Sequence, residues 1–111
     1  HGDAHAWNLL SDNAGGYKFV DPDGLFIERA HDLSISLREG VRDFLAGDPV
    51  ARGRACCAYI SKMTGVAPEP IWQWGLIENL VNGLLYVEVG SPEHAAMFLD
   101  VAEAWAAAEP D

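Results

Sequence analysis

The sequence predicts an α+β fold in which a short β-hairpin is followed by a bundle of about four α-helices. Two segments before residue 21 are short, apolar or aromatic, and separated by a cluster of turn-forming residues. From Asp32 onward, apolar residues recur instead every three or four positions, which is the period of an α-helix. We therefore expect two parts in one compact unit: residues 1–30 with the hairpin and its loops, and residues 31–111 as a helical subdomain.

The hairpin is predicted from its two strands and the turn between them. Trp7–Leu10 is a short apolar strand, Tyr17–Val20 is β-prone with aromatic side chains at alternate positions, and residues 11–16 are rich in Asp, Asn and Gly. Antiparallel pairing brings the start of the first strand next to the end of the second. Asn8 and Asp21 should therefore lie close together at the open end of the hairpin.

The helices are predicted from caps and apolar periodicity. The first ends at Gly47; Asp48 and Pro49 begin the second, which runs to Gly65. The third follows Pro68-Glu69-Pro70, and the last follows Ser91-Pro92-Glu93. The expected apolar faces are Leu33, Leu37, Val41, Phe44 and Leu45 in the first helix, Ile77, Leu80, Val81 and Leu84 in the third, and Phe98, Val101, Ala102 and Trp105 in the last.

Composition narrows the class of protein. The net charge is −10, with seventeen acidic and seven basic side chains, and such a surface repels nucleic acid. No run approaches the roughly 18 to 20 apolar residues of a membrane-spanning helix. Cys56 and Cys57 are adjacent in an apolar stretch with no second pair to complete a zinc site, so we expect two buried thiols in a helix. This cysteine usage favours the cytoplasm.

Three oxygen-bearing side chains near the start of the chain are candidate catalytic and metal-binding residues. Asp3 is followed five residues later by Asn8, and Asp21 comes from the next loop. In phosphoryl-transfer enzymes, an Asp in this position accepts the proton of a hydroxyl, and the Asn and the second Asp bind the metal that bridges the phosphates. Gly24 would allow the backbone to turn sharply after the metal ligand.

These residues resemble a known kinase family. The segment His1-Gly2-Asp3-Ala4-His5-Ala6-Trp7-Asn8-Leu9-Leu10 resembles the HGDxHxxNxL loop of the aminoglycoside phosphotransferase-like kinases. The segment Phe19-Val20-Asp21-Pro22-Asp23-Gly24-Leu25, followed by Asp32-Leu33, resembles their metal loop, and is similar to that of the streptomycin and hydroxyurea kinase branch. That branch commonly has Lys where this chain has Asp23, and Asp23 is open to two interpretations, a second metal contact or a turn residue.

The resemblance implies the C-terminal lobe of a protein-kinase-like fold and a function. The expected reaction transfers the γ-phosphate of ATP, with Mg²⁺, to a hydroxyl of an aminoglycoside-like or hydroxyurea-like acceptor, as in antibiotic resistance. The resemblance makes Asp3 the catalytic residue and Asn8 and Asp21 the metal ligands. It also makes His1 and Asp32 supports of the catalytic loop, and suggests that Glu78 binds the acceptor. Trp74 could stack on a sugar ring of the acceptor, with a position in the core as the alternative.

The same resemblance implies that an N-terminal nucleotide-binding lobe belongs before His1. We therefore expect this chain to be part of a longer kinase and to be inactive by itself. Apolar hairpin surface normally covered by that lobe would then favour association with the lobe or with a second copy.

Two alternatives remain open at this stage. The chain could be an inactive helical interaction module or a pseudokinase fragment. A lesser alternative is a metal-dependent hydrolase, since His1, Asp3 and His5 alternate and would face the same way in an extended segment.

Overall fold

A computed structural model of the chain describes residues 1–20 and 27–108, so Asp21, Asp23 and Gly24 lie outside the described residues. The described part is mostly helical, with one two-stranded antiparallel sheet, which confirms the α+β class. Its elements are β1 (Leu9–Ser11), β2 (Tyr17–Phe19), α1 (Arg29–Glu39), α2 (Val41–Leu45), α3 (Pro49–Thr64), α4 (Pro68–Glu88) and α5 (Pro92–Ala106).

The hairpin forms as predicted, but its first strand begins later. Leu9 pairs with Phe19, and the backbone N–H of Val20 donates to the Asn8 carbonyl oxygen at 2.7 Å, so the pairing continues one step toward the open end. Trp7 was expected in the strand and instead lies in a single 3-10 turn, Ala6–Asn8. The His5 ring nitrogen Nδ1 accepts the Trp7 backbone N–H at 3.2 Å, and this cap stabilises the turn.

The first predicted helix is divided into α1 and α2 at Gly40. The N–H of Gly40 donates to the Ser36 carbonyl, but its ψ of 6° departs from helical geometry. A Cβ atom here would lie 3.1 Å from the Phe44 ring, so the glycine allows the chain to turn tightly onto that side chain. Leu37, Val41 and Phe44 are buried as expected, whereas Leu45 is exposed.

The predicted ends of α3 are confirmed. The Asp48 side chain accepts the backbone N–H groups of Val50 at 2.9 Å and Ala51 at 3.1 Å, and Pro49 occupies the first turn. At the other end, Gly65 has a φ of +76°, the left-handed conformation of a helix C-cap. Cys57 is buried in this helix, and Cys56 is half-buried.

The predicted core face of α4 is wrong. Its expected apolar residues Ile77, Leu80, Val81 and Leu84 are 43 to 55% exposed. The buried face instead includes Gly75, Asn79 and Gly83. A Cβ atom at Gly75 would lie 2.4 Å from the Leu37 side chain, and one at Gly83 would lie 2.5 Å from Leu99. Because α4 is apolar nearly all around, small residues that admit close neighbours decide which face is buried.

Helix α4 contacts α1, α3 and α5, and the main apolar core lies among these helices and α2. The predicted stripe of α5 is confirmed, with Val101, Ala102 and Trp105 buried and Phe98 half-buried. Within the described part, no helix has both the length and the apolar character needed to cross a membrane.

Candidate functional site

The loop before the hairpin is attached to α1 through Asp32. One carboxylate oxygen accepts from the backbone nitrogen of Gly2 at 2.6 Å, and the other accepts from that of His1 at 2.8 Å. Burial by itself would raise the pKa of the Asp32 carboxyl, but these two hydrogen bonds outweigh it and lower the pKa. Asp32 is therefore an ionised anchor that fixes the start of the loop against the helical subdomain.

The His1 ring joins the same loop to the end of β2. Its Nδ1 accepts from the Asp3 backbone N–H at 3.2 Å, so the proton resides on Nε2, which lies 2.9 Å from the Val20 carbonyl oxygen. Both ring nitrogens thus bind backbone groups and neither is available to a metal beside Asp3 and His5. Among the described residues, no group of three or more His, Cys, Asp or Glu side chains is arranged to hold a metal ion.

Asp3 and Asn8 are brought into direct contact. The Asn8 amide nitrogen lies 3.0 Å from the Asp3 carbonyl oxygen and 3.2 Å from Asp3 Oδ2. This arrangement assigns the nitrogen as donor and leaves Asn8 Oδ1 as the ligand atom for a hard cation such as Mg²⁺. Val20, which immediately precedes Asp21, is hydrogen-bonded to Asn8. The hairpin therefore brings the start of the predicted metal loop to Asn8.

Arg38 on α1 contacts the other oxygen of Asp3, with Nη2 at 3.0 Å from Oδ1. Partial burial would raise the pKa of the Asp3 carboxyl, but the hydrogen bond from Arg38 and the nearby positive charge lower it instead. Asp3 is thus ionised at neutral pH. Arg38 holds one carboxylate oxygen, and Asn8 and His5 contact the other, with His5 Nε2 3.2 Å from Oδ2. Such a carboxylate is suited to orienting a hydroxyl group.

Glu78 and Trp74, suggested as acceptor-binding residues, lie behind Arg38. Glu78 Oε2 accepts from Arg38 Nη1 at 3.3 Å, and its Oε1 lies 2.9 Å from His31 Nε2. The Trp74 ring packs edge-on against His31 with 5.1 Å between ring centroids, and its Nε1–H donates to Glu28. In the structure Glu78 holds Arg38, Trp74 packs on His31, and neither side chain lines the neighbouring pocket.

A pocket of about 400 Å³ opens beside Asp3. It is lined by the loop before the hairpin and by residues of α1, α2, α4 and α5. Its charged and polar lining includes Asp3, Arg38, Glu39, Arg42 and Asn82, with aromatic rings of Tyr86, His94 and Phe98. A small molecule in this pocket would have a hydroxyl within reach of the Asp3 carboxylate, which makes the pocket the candidate acceptor site.

Sequence reasoning missed Arg38, although a signal was present. His31, Ser34, Ile35 and Arg38 are spaced as one face of a helix, and the first three are buried. A charged residue that continues a buried face requires a buried partner. The sequence did not reveal that partner, because Asp3 is 35 residues away.

Comparisons of the chain with protein-family models, with curated proteins and with solved structures gave no match.

The contact between Arg38 and Asp3 predicts that the pKa of Asp3 changes in the Arg38→Gln variant. Glutamine removes the positive charge, while the burial that opposes ionisation remains, so the pKa of Asp3 should rise. In the native protein the lowered pKa stabilises the fold above the pKa of an unfolded Asp, about 3.9, and this stabilisation is lost as pH falls through the folded value. The variant should therefore be less stable than the native protein at neutral pH, and the two should have similar stability in acid.

Carboxyl-carbon NMR titration measures this pKa directly. Asp32 provides an internal reference, since its hydrogen bonds come from backbone nitrogens and its pKa should not change. Arg29→Gln, at the exposed start of α1, serves as the matched charge control. An unchanged Asp3 pKa in Arg38→Gln would contradict the assignment.

Proposed function

We propose that this chain is the C-terminal part of an ATP-dependent small-molecule kinase of the aminoglycoside phosphotransferase-like type. The observation that carries the proposal is the pairing of Asp3 with Asn8 at the edge of a pocket, at the end of the hairpin that leads into Asp21. A carboxylate that lines an acceptor pocket, next to an amide whose oxygen is available to a metal, suits phosphoryl transfer.

In this proposal Asp3 orients the acceptor hydroxyl. The hydroxyl oxygen forms a new bond to the γ-phosphorus of ATP, the bond from that phosphorus to the bridging oxygen breaks, and ADP leaves. The hydroxyl proton passes to Asp3 and then to solvent. Because Arg38 lowers the pKa of Asp3, the carboxylate contributes chiefly by positioning and accepts the proton late, when the oxygen has become acidic.

Asn8 and Asp21 are the proposed Mg²⁺ ligands. Asn8 would contribute Oδ1, the side-chain atom that its contact with Asp3 does not use. Magnesium takes few protein ligands and completes its shell with phosphate oxygens and water, so one amide and one carboxylate suffice. When bound, the ion supplies charge neutralisation at the β- and γ-phosphates.

The proposal is tested with the complete polypeptide that contains this chain. Magnesium-dependent binding of ATP, followed by ADP formation in the presence of a hydroxylated acceptor, is the expected result. Calorimetry measures the first and a coupled ADP assay the second. Absence of magnesium-dependent nucleotide binding would overturn the kinase proposal and favour an inactive helical interaction module.

The proposed metal ligands should respond differently to magnesium. Asp21→Ala should weaken metal-dependent ATP binding at every Mg²⁺ concentration, whereas Asn8→Ala should be partly rescued by raising Mg²⁺, since a neutral amide contributes less to a hard cation than a carboxylate does. Calorimetric titration of ATP at low and high Mg²⁺ measures both. Equal losses that do not depend on magnesium would contradict the metal assignment and leave both residues a structural role in the hairpin.

A further inference from the structure

The carboxylates of the pocket beside Asp3 are already paired with an arginine. Apart from Asp3, the lining contributes Glu39, whose Oε1 lies 3.3 Å from Arg38 Nη2. Behind the lining, Glu78 contacts the same guanidinium at 3.3 Å. A cationic acceptor would have to share each of these carboxylates with Arg38. The described pocket therefore offers no carboxylate that is free of a guanidinium partner for an amine.

Arg42, unlike these carboxylates, is a charged side chain without a charged partner among the described residues. It lines the same pocket from α2, is exposed, and its side chain has no hydrogen bond or ion pair with any residue that the structure describes. Its guanidinium group carries five N–H donors in a fixed planar arrangement that matches a carboxylate. The unpaired charge available to a ligand in this pocket is thus positive.

Aromatic side chains of α4 and α5 also line the pocket. Tyr86 stacks on His94 with 5.1 Å between ring centroids and on Phe98 with 5.5 Å, so the three rings form one aromatic cluster. Asn82 donates from Nδ2 to the Glu78 carbonyl at 2.9 Å, which leaves its amide oxygen to accept from a ligand hydroxyl. Aromatic side chains with a few placed polar atoms are typical of sites that bind small molecules.

We infer that the acceptor is a cyclic hydroxylated compound that carries a carboxylate. One hydroxyl lies at Asp3, the ring packs on the aromatic cluster around Tyr86, and the carboxylate binds Arg42. The position of the reacting hydroxyl rests on the proposed function; the preference for an anion rests on the pairing of the pocket charges alone. The inference narrows the acceptor away from aminoglycosides, which carry several positive charges.

Three probes that share a pyranose ring test the charge preference: methyl glucuronide, methyl glucoside and methyl glucosaminide. Their binding to the purified chain is measured by calorimetry and by saturation-transfer NMR. We expect the glucuronide to bind about three- to tenfold more tightly than the glucoside, the scale of one exposed charged contact, and the preference to shrink as salt rises.

Arg42→Gln should remove the preference while the glucoside binds as before, and Arg29→Gln, outside the pocket lining, should retain it. Tighter binding of the glucosaminide, a preference that survives Arg42→Gln, or failure of all three probes to bind would overturn the inference.

The outcome is independent of phosphoryl transfer. An anion preference that depends on Arg42, without ADP formation by the complete polypeptide, would support the pocket inference and overturn the kinase proposal. ADP formation with the glucosaminide as the best acceptor would support the kinase proposal and overturn the pocket inference.

Discussion

Asp3→Asn should reduce turnover of the complete polypeptide by about a hundredfold or more, the scale of a positioned acid-base group. The carboxylate occupies a site defined by Arg38 Nη2 on one oxygen and by Asn8 Nδ2 and His5 Nε2 on the other. The new amide can satisfy Arg38 through its oxygen, but it then directs an NH₂ group toward the Asn8 donor. Both the proton acceptor and the orientation of the hydroxyl are lost.

Nucleotide binding should largely persist in this variant, because Asp3 lines the candidate acceptor pocket and is not one of the proposed metal ligands. Turnover from a coupled ADP assay and ATP affinity from calorimetry separate the two effects. Asp100→Asn, which makes the same chemical change at an exposed position of α5, is the matched control and should leave both values unchanged. Retention of most activity in Asp3→Asn would remove Asp3 from the mechanism.

The sequence predicted the parts of the site that are close together along the chain. Asp3 and Asn8 are five residues apart, and the hairpin that orders them depends on local turn chemistry. Arg38 could not be assigned to Asp3 in this way, because their contact depends on where α1 packs. The support of Arg38 by Glu78 has the same origin, since that contact joins α1 to α4.

The fold shows the same division between local and non-local information. Caps at Asp48 and Gly65 follow from their own residue types and were predictable. The orientation of α4 was not predictable from the sequence. Leucines and valines occur on nearly every face of this helix, so hydropathy does not indicate which face is buried. What selects the buried face is steric fit of Gly75 and Gly83 to Leu37 and Leu99, residues that belong to other helices.

Trp105 is the largest fully buried side chain among the residues that the structure describes. It is 1% exposed, stacks on Trp72 with 4.2 Å between ring centroids, and lies 5.4 Å from the Phe44 ring. Its Nε1–H donates to the Pro49 carbonyl oxygen at 2.8 Å, which joins α5 to the start of α3. Gly53 is required opposite it, since a Cβ atom there would lie 2.3 Å from the indole ring.

Trp105→Ala should therefore lower the free energy of unfolding by about 3–5 kcal/mol, because it removes a large buried ring and leaves a cavity among three helices. Urea unfolding followed by far-UV circular dichroism measures the loss without relying on tryptophan fluorescence. Trp7→Ala is the matched control, since Trp7 is 87% exposed and its removal should change stability by no more than about 0.5 kcal/mol.

Trp105→Phe separates packing from hydrogen bonding. Phenylalanine keeps an aromatic ring against Trp72 but loses the donor to Pro49. The free energy of unfolding should therefore fall less in Trp105→Phe than in Trp105→Ala. A loss in Trp105→Ala as small as that in Trp7→Ala would mean that the helices do not close around this ring. The pocket wall formed by α4 and α5 would then lack the rigid support that the proposed acceptor site beside Asp3 needs.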